Sequence, residues 1–308
     1  GLNSDHAIHI LMSERLSLPY GLYYWGQNRL GSLIPILGHI FHLLGFKALF
    51  ATAIAQALLL LSAVYFFGKF VRSPFLKLAV LTVMILPVYP FFTQVEIGHP
   101  VIGQMFFIGL SLFLYYFRFS HSWWTQLLFG LTAALSLWAS ELSVAVWISL
   151  VVVENIRLWK NIKAKPIFAP LGFVLGVLFI LFAKNNVAKV AGYHYLFASV
   201  SSAFDSIGNH FASLLQMMAF DSNKPFNSVL VYSLVLICLL MIGLGAKRNL
   251  RPSRPTLLFL LSSLITLLAV HFSNWNEMMG RPLHHFTPAY FFFFMAFINY
   301  AQQLMQEK

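Results

Sequence analysis

The feature of this sequence that most restricts its fold is a series of long apolar runs that recurs from residue 48 to the carboxyl end. A helix that crosses a membrane needs about 20 mostly apolar residues, and each run approaches that length. Charged residues make up 9% of the chain, whereas soluble domains carry about 25%. The sequence therefore predicts an all-α, polytopic transmembrane helical bundle, and it excludes a soluble enzyme, a disordered chain and a collagen-like chain.

About nine of these runs are predicted to span the membrane. They form a bundle at residues 47–308, which follows an external segment at 1–46 and contains a longer external loop at 184–225. Two of the runs alternatively form one broken hairpin, because Ser140 and Glu141 interrupt a continuous apolar stretch. The predicted spans are 48–68, 74–92, 101–117, 123–139, 142–158, 167–183, 226–245, 256–272 and 288–304.

Charged residues are distributed unevenly between alternate loops, and this predicts the orientation of the bundle. Loops rich in lysine and arginine stay in the cytoplasm, so the acidic set of loops and Gly1 are predicted to lie outside. An external amino terminus is awkward for insertion, and we therefore expect one further span before Gly1. The net charge of +11 reflects this distribution and does not indicate binding to nucleic acid. The basic set holds Lys69, Arg72, Lys77, Arg118, Arg157, Lys160, Lys163, Lys165, Lys247, Arg248, Arg251, Arg254 and Lys308, and the acidic set holds Asp5, Glu14, Glu96, Asp205, Asp221 and Glu277.

Three amphipathic helices are predicted outside the spans. Apolar residues recur at helical spacing over 5–18, 28–44 and 198–219. These segments are too polar to cross a membrane, and amphipathic helices of this kind lie in the membrane interface. Pro35 falls inside the second pattern, which predicts either a kink or a later start for that helix. The third helix belongs to the 184–225 loop, which is a candidate lid.

Histidines and acids collect on the predicted external side, which indicates an external functional site. The single Cys238 lies in an apolar run, so a disulfide framework is excluded. His121 is the histidine that lies clearly on the cytoplasmic side. The external histidines are His6, His9, His39, His42, His99, His194, His210, His271, His284 and His285.

Two segments resemble a known family of membrane enzymes. The first runs from Asn3-Ser4-Asp5 through a short amphipathic helix to the stretch YWGQNRLGSL at 24–33. It resembles the first external loop of GT-C glycosyltransferases, in particular the protein-mannosyltransferase-like and aminoarabinose-transferase-like proteins of bacteria. The second segment, GRPLHHFTP at 280–288, resembles the Arg-Tyr-x-x-Pro segment of that family, although Pro282 replaces the usual aromatic residue.

The resemblance implies a transferase that uses a sugar carried on a polyprenyl phosphate. The lipid chain of this donor lies in the bilayer, and a hydroxyl or amine of a glycan, lipid or protein acceptor attacks the anomeric carbon with inversion. Nucleotide sugars are not normally present outside the cytoplasmic membrane, so the activated sugar must arrive on a lipid. The expected location is the inner (plasma) membrane, with the active site facing outside.

Asp5 is the candidate general base. It stands where the family motif has its Ser-Asp pair, and a carboxylate in a partly dry pocket has a raised pKa that suits proton abstraction. The alternative from spacing alone is a cap on the first amphipathic helix, a position at which aspartate is common.

Arg281 is the candidate for binding the donor phosphate, with His284 and His285 close to it in sequence. A guanidinium offers a fork of donors that matches phosphate oxygens and stabilises the charge on the leaving group. The alternative is an arginine that extends from a helix end into the membrane interface.

The remaining candidates bind the sugar or the acceptor. Tyr24, Gln27 and Asn28 are polar groups on the glycine-bearing turn, and Glu96 and His99 end a loop on the same predicted side. Glu141, at the break in the hairpin, is a further candidate to line the site, with simple exposure as its alternative.

A divalent cation is the one candidate cofactor. Asp5 and His9 are four residues apart on a helix, so both can reach one ion, and Glu96 or His99 would complete the set. The sequence contains no full metal-binding motif.

A transporter or lipid flippase is the alternative function. That class uses discontinuous or charged segments near the bilayer centre, whereas the spans between 48 and 117 are nearly uncharged. A third interpretation, a membrane scaffold without catalytic activity, predicts that changing Asp5 has no effect.

Overall fold

A computed structural model describes residues 4–25, 30–85, 101–119, 122–158, 168–187, 199–218, 233, 236–237, 239–240, 242–273 and 286–306. For residues 4–5, 155–158 and 210–218 the description covers the backbone.

Every regular element among these residues is helical, which confirms the predicted all-α class. Short 3-10 turns at Tyr20–Leu22 and Glu141–Ser143 connect longer helices, and an antiparallel bridge pairs Tyr23 with Gly31. The α-helices are α1 (Ser4–Glu14), α2 (Leu33–Leu43), α3 (Ala48–Gly68), α4 (Pro74–Ile85), α5 (Val101–Arg118), α6 (Trp123–Ala139), α7 (Val144–Leu158), α8 (Phe168–Asn186), α9 (Val200–Met218), α10 (Arg254–His271) and α11 (Thr287–Gln306), and residues 242–247 are helical as well.

Four of these helices, counted over the described residues, are long and apolar enough to cross a membrane. They are α3, α5, α8 and α10, and their length and composition indicate a membrane protein. Helices α4, α6, α7 and α11 coincide with other predicted spans, whereas most of the predicted span 226–245 lies outside the described residues. The total of about nine spans therefore stays a prediction.

One end of the bundle carries α1, and we call it the α1 end. Thr52, near the start of α3, donates a hydrogen bond to Ser13 of α1 at 2.8 Å. Gly31, just before α2, donates from its backbone N–H to the carbonyl of Trp138 near the end of α6, at 2.9 Å. Helix α3 therefore begins at this end, and α6 finishes there.

The opposite end of the bundle is rich in basic residues. Arg254 at the start of α10 lies 3.7 Å from Glu154 of α7, and the backbone N–H of Arg72, after α3, donates to Gln302 near the end of α11. Helix α10 therefore runs towards the α1 end, and α11 runs away from it. Basic residues at this end are Lys69, Arg72, Lys77, Arg118, Lys247, Arg248, Arg251 and Arg254.

An aromatic layer in the core joins α3, α10 and α11. The ring of Phe67 lies 4.7 Å from that of Phe291 in an edge-on contact and 6.1 Å from that of Phe259, and Phe292 stacks parallel to Phe259. All four side chains are buried. Edge-on and offset contacts are the favourable geometries for aromatic pairs. These contacts therefore fix the positions of the three helices along the bundle axis relative to one another.

The structure shortens the first two predicted amphipathic helices. Helix α1 ends at Glu14 and not at residue 18, because the chain turns towards Pro19 and the residue before a proline is disfavoured in a helix. Helix α2 begins at Leu33 and not at residue 28, and Pro35 therefore lies in its first turn. Of the two predicted effects of Pro35, the later start of the helix is confirmed and the kink is wrong. Helix α9 begins and ends within two residues of the prediction.

Helix α2 packs back along the first half of α3. Gly45 reverses the chain after α2 with a φ of +99°, a conformation that favours glycine. Ile34, near the start of α2, belongs to the same buried cluster as Ala55 and Leu59 of α3. The predicted boundary between residues 46 and 47 falls in this turn, and the segment before it packs directly on the bundle.

Candidate functional site

Trp138, near the end of α6, attaches the first motif segment to the bundle. Its indole Nε1 donates to the carbonyl of Leu22 at 3.1 Å, and its own carbonyl accepts from the N–H of Gly31. The ring is 4% exposed and packs edge-on against Tyr23 and Phe107. A Cβ at position 31 would lie 2.5 Å from Trp138 ring atoms, so the turn requires glycine at that point. The residues on both sides of the motif turn are therefore held by one side chain and its carbonyl.

His9 and Tyr24 are in contact. Their ring centroids are 4.9 Å apart, and the two side chains are 5% and 7% exposed. His6, on the preceding turn of α1, is buried as well. The structure thus joins a candidate metal ligand to a candidate sugar-binding residue and ties the motif turn to α1.

Hydrogen bonds through Ser13 hold α1 on α2 and α3. The Ser13 hydroxyl donates to the carbonyl of His9 at 2.9 Å and accepts from Thr52 at 2.8 Å. His39 of α2 donates from Nδ1 to the Ser13 carbonyl at 2.9 Å. A Cβ at position 38 would lie 2.5 Å from Ser13 Oγ, so Gly38 allows α2 to approach this closely. These bonds fix the helix that carries Asp5.

Asp5 occupies the second position of α1. The helix begins at Ser4, so Asp5 is inside the first turn and is not its cap. Positions 5 and 9 are one helical turn apart. The side chain of Asp5 lies outside the described atoms, and the candidates outside the described residues are Gln27, Asn28, Glu96, His99, Arg281, His284 and His285.

Glu141 forms an ion pair at the α1 end. Its Oε1 lies 3.3 Å from Nζ of Lys184 at the end of α8, and the two side chains are 44% and 42% exposed. An exposed pair of this kind contributes about 0–1 kcal/mol. Burial, with the Glu141 charge second, raises the pKa of the Tyr23 hydroxyl. The Tyr23 phenol is therefore a neutral hydrogen-bond donor at physiological pH.

Helices α9, α10 and α11 meet at His271. Its Nδ1 lies 2.9 Å from Oγ of Ser206 on α9, and its ring centroid lies 4.9 Å from that of Phe286, just before α11. His271 is 5% exposed. Because Phe286 belongs to the second motif segment, this contact places the end of that segment at the α1 end.

Among the described side chains, no group of three or more His, Cys, Asp or Glu residues is arranged to hold a metal ion. Of the four proposed ligands, His9 has a described side chain, whereas those of Asp5, Glu96 and His99 are not described. The proposed cation site therefore stays a prediction.

Trp138, Tyr23 and Ser13 are site residues that the sequence patterns did not single out. A tryptophan at the end of an apolar helix is typical of membrane-interface anchors. The sequence around Trp138 therefore does not distinguish a tryptophan that binds a loop from one that lies in the membrane interface. Ser13 falls on the apolar side of α1, where a serine is equally compatible with simple packing. Their roles depend on partners that are distant in sequence.

The structure brings the two motif segments to the same end of one bundle. Tyr24 of the first segment contacts His9 there, and Phe286 of the second segment contacts His271. Comparison of the chain with protein-family models, curated proteins and solved structures found no match.

Proposed function

We propose that the chain is an integral membrane glycosyltransferase of the GT-C type, which moves a sugar from a polyprenyl-phosphate donor to an acceptor at the outer face. The observation that supports the proposal is that Tyr24 of the first motif segment and Phe286 of the second both lie at the α1 end. The general base acts on the acceptor and the phosphate-binding group acts on the donor in the same transfer step, so their segments must approach each other.

Charge supports an orientation in which the α1 end faces outside. Among the described residues, the opposite end carries the eight basic residues named above and one acid, Glu154. The α1 end carries the acids Glu14, Glu141 and Asp205 with the basic residues Arg15, Lys47 and Lys184. Basic loops remain in the cytoplasm. The chain is then a multi-pass protein of the inner (plasma) membrane with about nine spans, and α1, α2 and α9 lie at its outer interface.

In the proposed reaction, an acceptor oxygen or nitrogen attacks the anomeric carbon on the face opposite the phosphate. The bond from the anomeric carbon to the phosphate oxygen breaks, and polyprenyl phosphate leaves with inversion at the carbon. Asp5 takes the proton of the acceptor. Arg281, His284 and His285 bind the phosphate and stabilise the charge that develops on it.

Residues of the motif turn and of the loop before α5 position the sugar and the acceptor. The contact between Tyr24 and His9 supports this role, because it ties the turn to the helix that carries Asp5. A divalent cation remains a candidate cofactor, with Asp5, His9, Glu96 and His99 as ligands. The positioning residues are Tyr24, Gln27, Asn28, Glu96 and His99.

Replacing Asp5 with asparagine is expected to reduce transfer about 10²–10⁴-fold, the usual contribution of a general base. Purified protein is incubated with radiolabelled polyprenyl-phosphate sugars and membrane-derived acceptors, and the transferred label is counted. Asp205→Asn is the matched control, because Asp205 is exposed on α9.

Turnover by Asp5→Asn at the wild-type rate would remove Asp5 from the reaction. Movement of the labelled donor across vesicles without any transfer would instead favour a transporter or flippase.

A further inference from the structure

Gln104 on α5, Ser262 on α10 and Thr287 at the start of α11 are buried polar side chains that lack hydrogen-bond partners among the described residues. Gln104 is 1% exposed, and Ser262 and Thr287 are fully buried. In Gln104 both the Oε1 and the Nε2 atom are unpaired. These side chains leave donors and acceptors unused inside an apolar bundle.

Gln104 lies on the α1 side of the aromatic layer. It precedes Gly109 by five residues in α5. This helix runs away from the α1 end, because a Cβ at Gly103, near its start, would lie 3.6 Å from Leu33 and 4.0 Å from Ala139. Gly109 is in contact with the layer, because a Cβ there would lie 3.1 Å from the ring of Phe67. At 1.5 Å per residue, Gln104 is about 8 Å above that contact.

Ser262 and Thr287 lie on the same side of the layer. Ser262 follows Phe259 by three residues in α10, which runs towards the α1 end. Thr287 precedes Phe291 by four residues in α11, which runs away from it. The corresponding offsets are about 5–6 Å. The three unpaired side chains therefore lie at similar heights on the α1 side of the aromatic layer, and we call these three residues the polar floor.

Four other buried hydroxyls in the bundle are satisfied within their own helices. Each donates to the backbone carbonyl one turn earlier, the usual solution for a hydroxyl in an apolar helix. Thr287 has no such carbonyl because α11 begins there, and Ser262 makes no such bond. The satisfied hydroxyls are those of Ser111, Thr132, Ser149 and Thr266, with oxygen–oxygen distances of 2.7, 2.7, 2.7 and 2.6 Å.

An unpaired polar group in the core of a membrane protein destabilises the fold. Helices α5 and α10 are long and apolar enough to cross a membrane, so Gln104 and Ser262 carry this cost. A leucine at 104 and an alanine at 262 would avoid it. Polar residues that persist inside membrane helices are typical of binding sites and pathways.

The donors and acceptors of the polar floor identify the chemistry that would pair with them. Gln104 requires one atom that accepts from Nε2 and one that donates to Oε1, and the hydroxyls of Ser262 and Thr287 both donate and accept. An ionised phosphate mainly accepts, and a metal cation would pair with the oxygens alone. The hydroxyls of a carbohydrate do both.

We propose that Gln104, Ser262 and Thr287 bind the hydroxyl groups of a lipid-linked sugar, as the inner end of a site entered from the α1 end. The inference rests on the proposed function, in which this sugar is the one that is transferred. Along the chain, His99 precedes Gln104 by five residues and His285 precedes Thr287 by two, so two residues of the polar floor are close in sequence to proposed substrate-binding residues. The aromatic layer closes the site on the other side.

The test follows thermal unfolding of the full chain in polymer-bounded nanodiscs during titration with octyl glycosides below their micelle-forming concentrations. The probes are the octyl glucoside, galactoside, mannoside and N-acetylglucosaminide, compared with octyl phosphate and tetraethylene glycol monooctyl ether. At least one glycoside is expected to raise the unfolding temperature of the wild type more than the phosphate or the ether does. In Gln104→Leu and Thr287→Val its half-saturating concentration rises about tenfold, the equivalent of one lost hydrogen bond.

Unfolding temperatures without glycoside separate a binding role from a structural one. Replacing an unpaired buried polar group by an apolar group of similar shape is neutral or stabilising, so Gln104→Leu and Thr287→Val keep or raise the unfolding temperature. Ser111→Ala is the matched control, because Ser111 lies two turns further along α5 and donates a hydrogen bond. It lowers the unfolding temperature and leaves the glycoside response unchanged.

The inference is wrong if no glycoside raises the unfolding temperature of the wild type, or if octyl phosphate raises it more than the glycosides do. It is also wrong if both variants keep the glycoside response, or if both are destabilised as Ser111→Ala is. If the wild type transfers no sugar but its glycoside response is lost in the variants, the binding role of the polar floor is supported and the proposed function is wrong. If the wild type transfers sugar but the variants bind glycosides as the wild type does, the binding role of the polar floor is wrong and the proposed function stands.

Discussion

At the scale of single residues, Trp138 controls where the first motif segment lies. The indole donates to Leu22 and the backbone carbonyl accepts from Gly31, so one residue closes both sides of the turn. The Leu22 carbonyl also accepts from the backbone N–H of Ser32 at 3.2 Å, so the indole supplies one of its two donors. The indole N–H therefore contributes about 0.5–1.5 kcal/mol to holding the turn, the net value of a typical hydrogen bond.

Trp138→Phe is expected to lower the free energy of unfolding by about 0.5–1.5 kcal/mol, because it removes the indole N–H that donates to the Leu22 carbonyl. An aromatic ring stays in place, and the Leu22 carbonyl keeps the backbone N–H of Ser32 as a donor. Thermal unfolding in detergent measures the change, and limited proteolysis reports whether the motif turn becomes accessible. Trp123→Phe is the control, since Trp123 is 45% exposed. Equal stability of the two variants would contradict the proposed tie.

At the scale of helices, α6 and α8 approach each other until their backbones touch. A Cβ at Gly130 would lie 1.9 Å from the carbonyl oxygen of Ala169, and one at Gly172 would lie 2.0 Å from that of Leu127. Helices in membranes associate by van der Waals packing, and small residues permit this distance. The pair positions Trp138 at the end of α6 and Lys184 at the end of α8.

Gly172→Ala is expected to destabilise the protein by about 1–3 kcal/mol, because a backbone carbonyl cannot move aside and the helices must separate. Gly243→Ala is the control: no atom lies within 4 Å of a Cβ built there, and alanine favours a helix. Thermal unfolding of both variants checks the prediction. A Gly172→Ala protein as stable as the control would show that the contact is looser than the structure indicates.

At the scale of the whole molecule, the two ends of the bundle differ in charge and in which of them carries the motif residues. The contacts of His9 with Tyr24 and of His271 with Phe286 lie at the α1 end, and most basic residues of the described chain lie at the other. In the proposed orientation, which depends on this asymmetry, the α1 end faces outside.

Labelling of single cysteines tests this orientation. In a Cys238→Ser background, a membrane-impermeant maleimide applied to intact cells is expected to modify Ser17→Cys, which is exposed beyond α1. Gln306→Cys, exposed at the end of α11, is expected to react after the cells are permeabilised. The reverse pattern would place Asp5 in the cytoplasm and contradict the proposed function.

Much of the helix layout was predictable, because apolar length and spacing are local properties. Helices α3 and α6 begin and end at the predicted residues. The ends of α1 and α2 were misplaced where turn-forming residues and Pro35 competed with the apolar pattern. His9 and Tyr24 were each identified for a separate reason, and their contact was not foreseen.

The sequence by itself determined that this chain is helical and built for a membrane, since hydropathy and periodicity are read over one or two dozen consecutive residues. The tertiary structure decided which distant residues meet. Leu22 and Trp138 are 116 residues apart and share a hydrogen bond, and Gln104, Ser262 and Thr287 lie at similar heights on three different helices. Contacts of this kind depend on how helices pack against each other, and that packing is a property of the whole chain and not of any one segment.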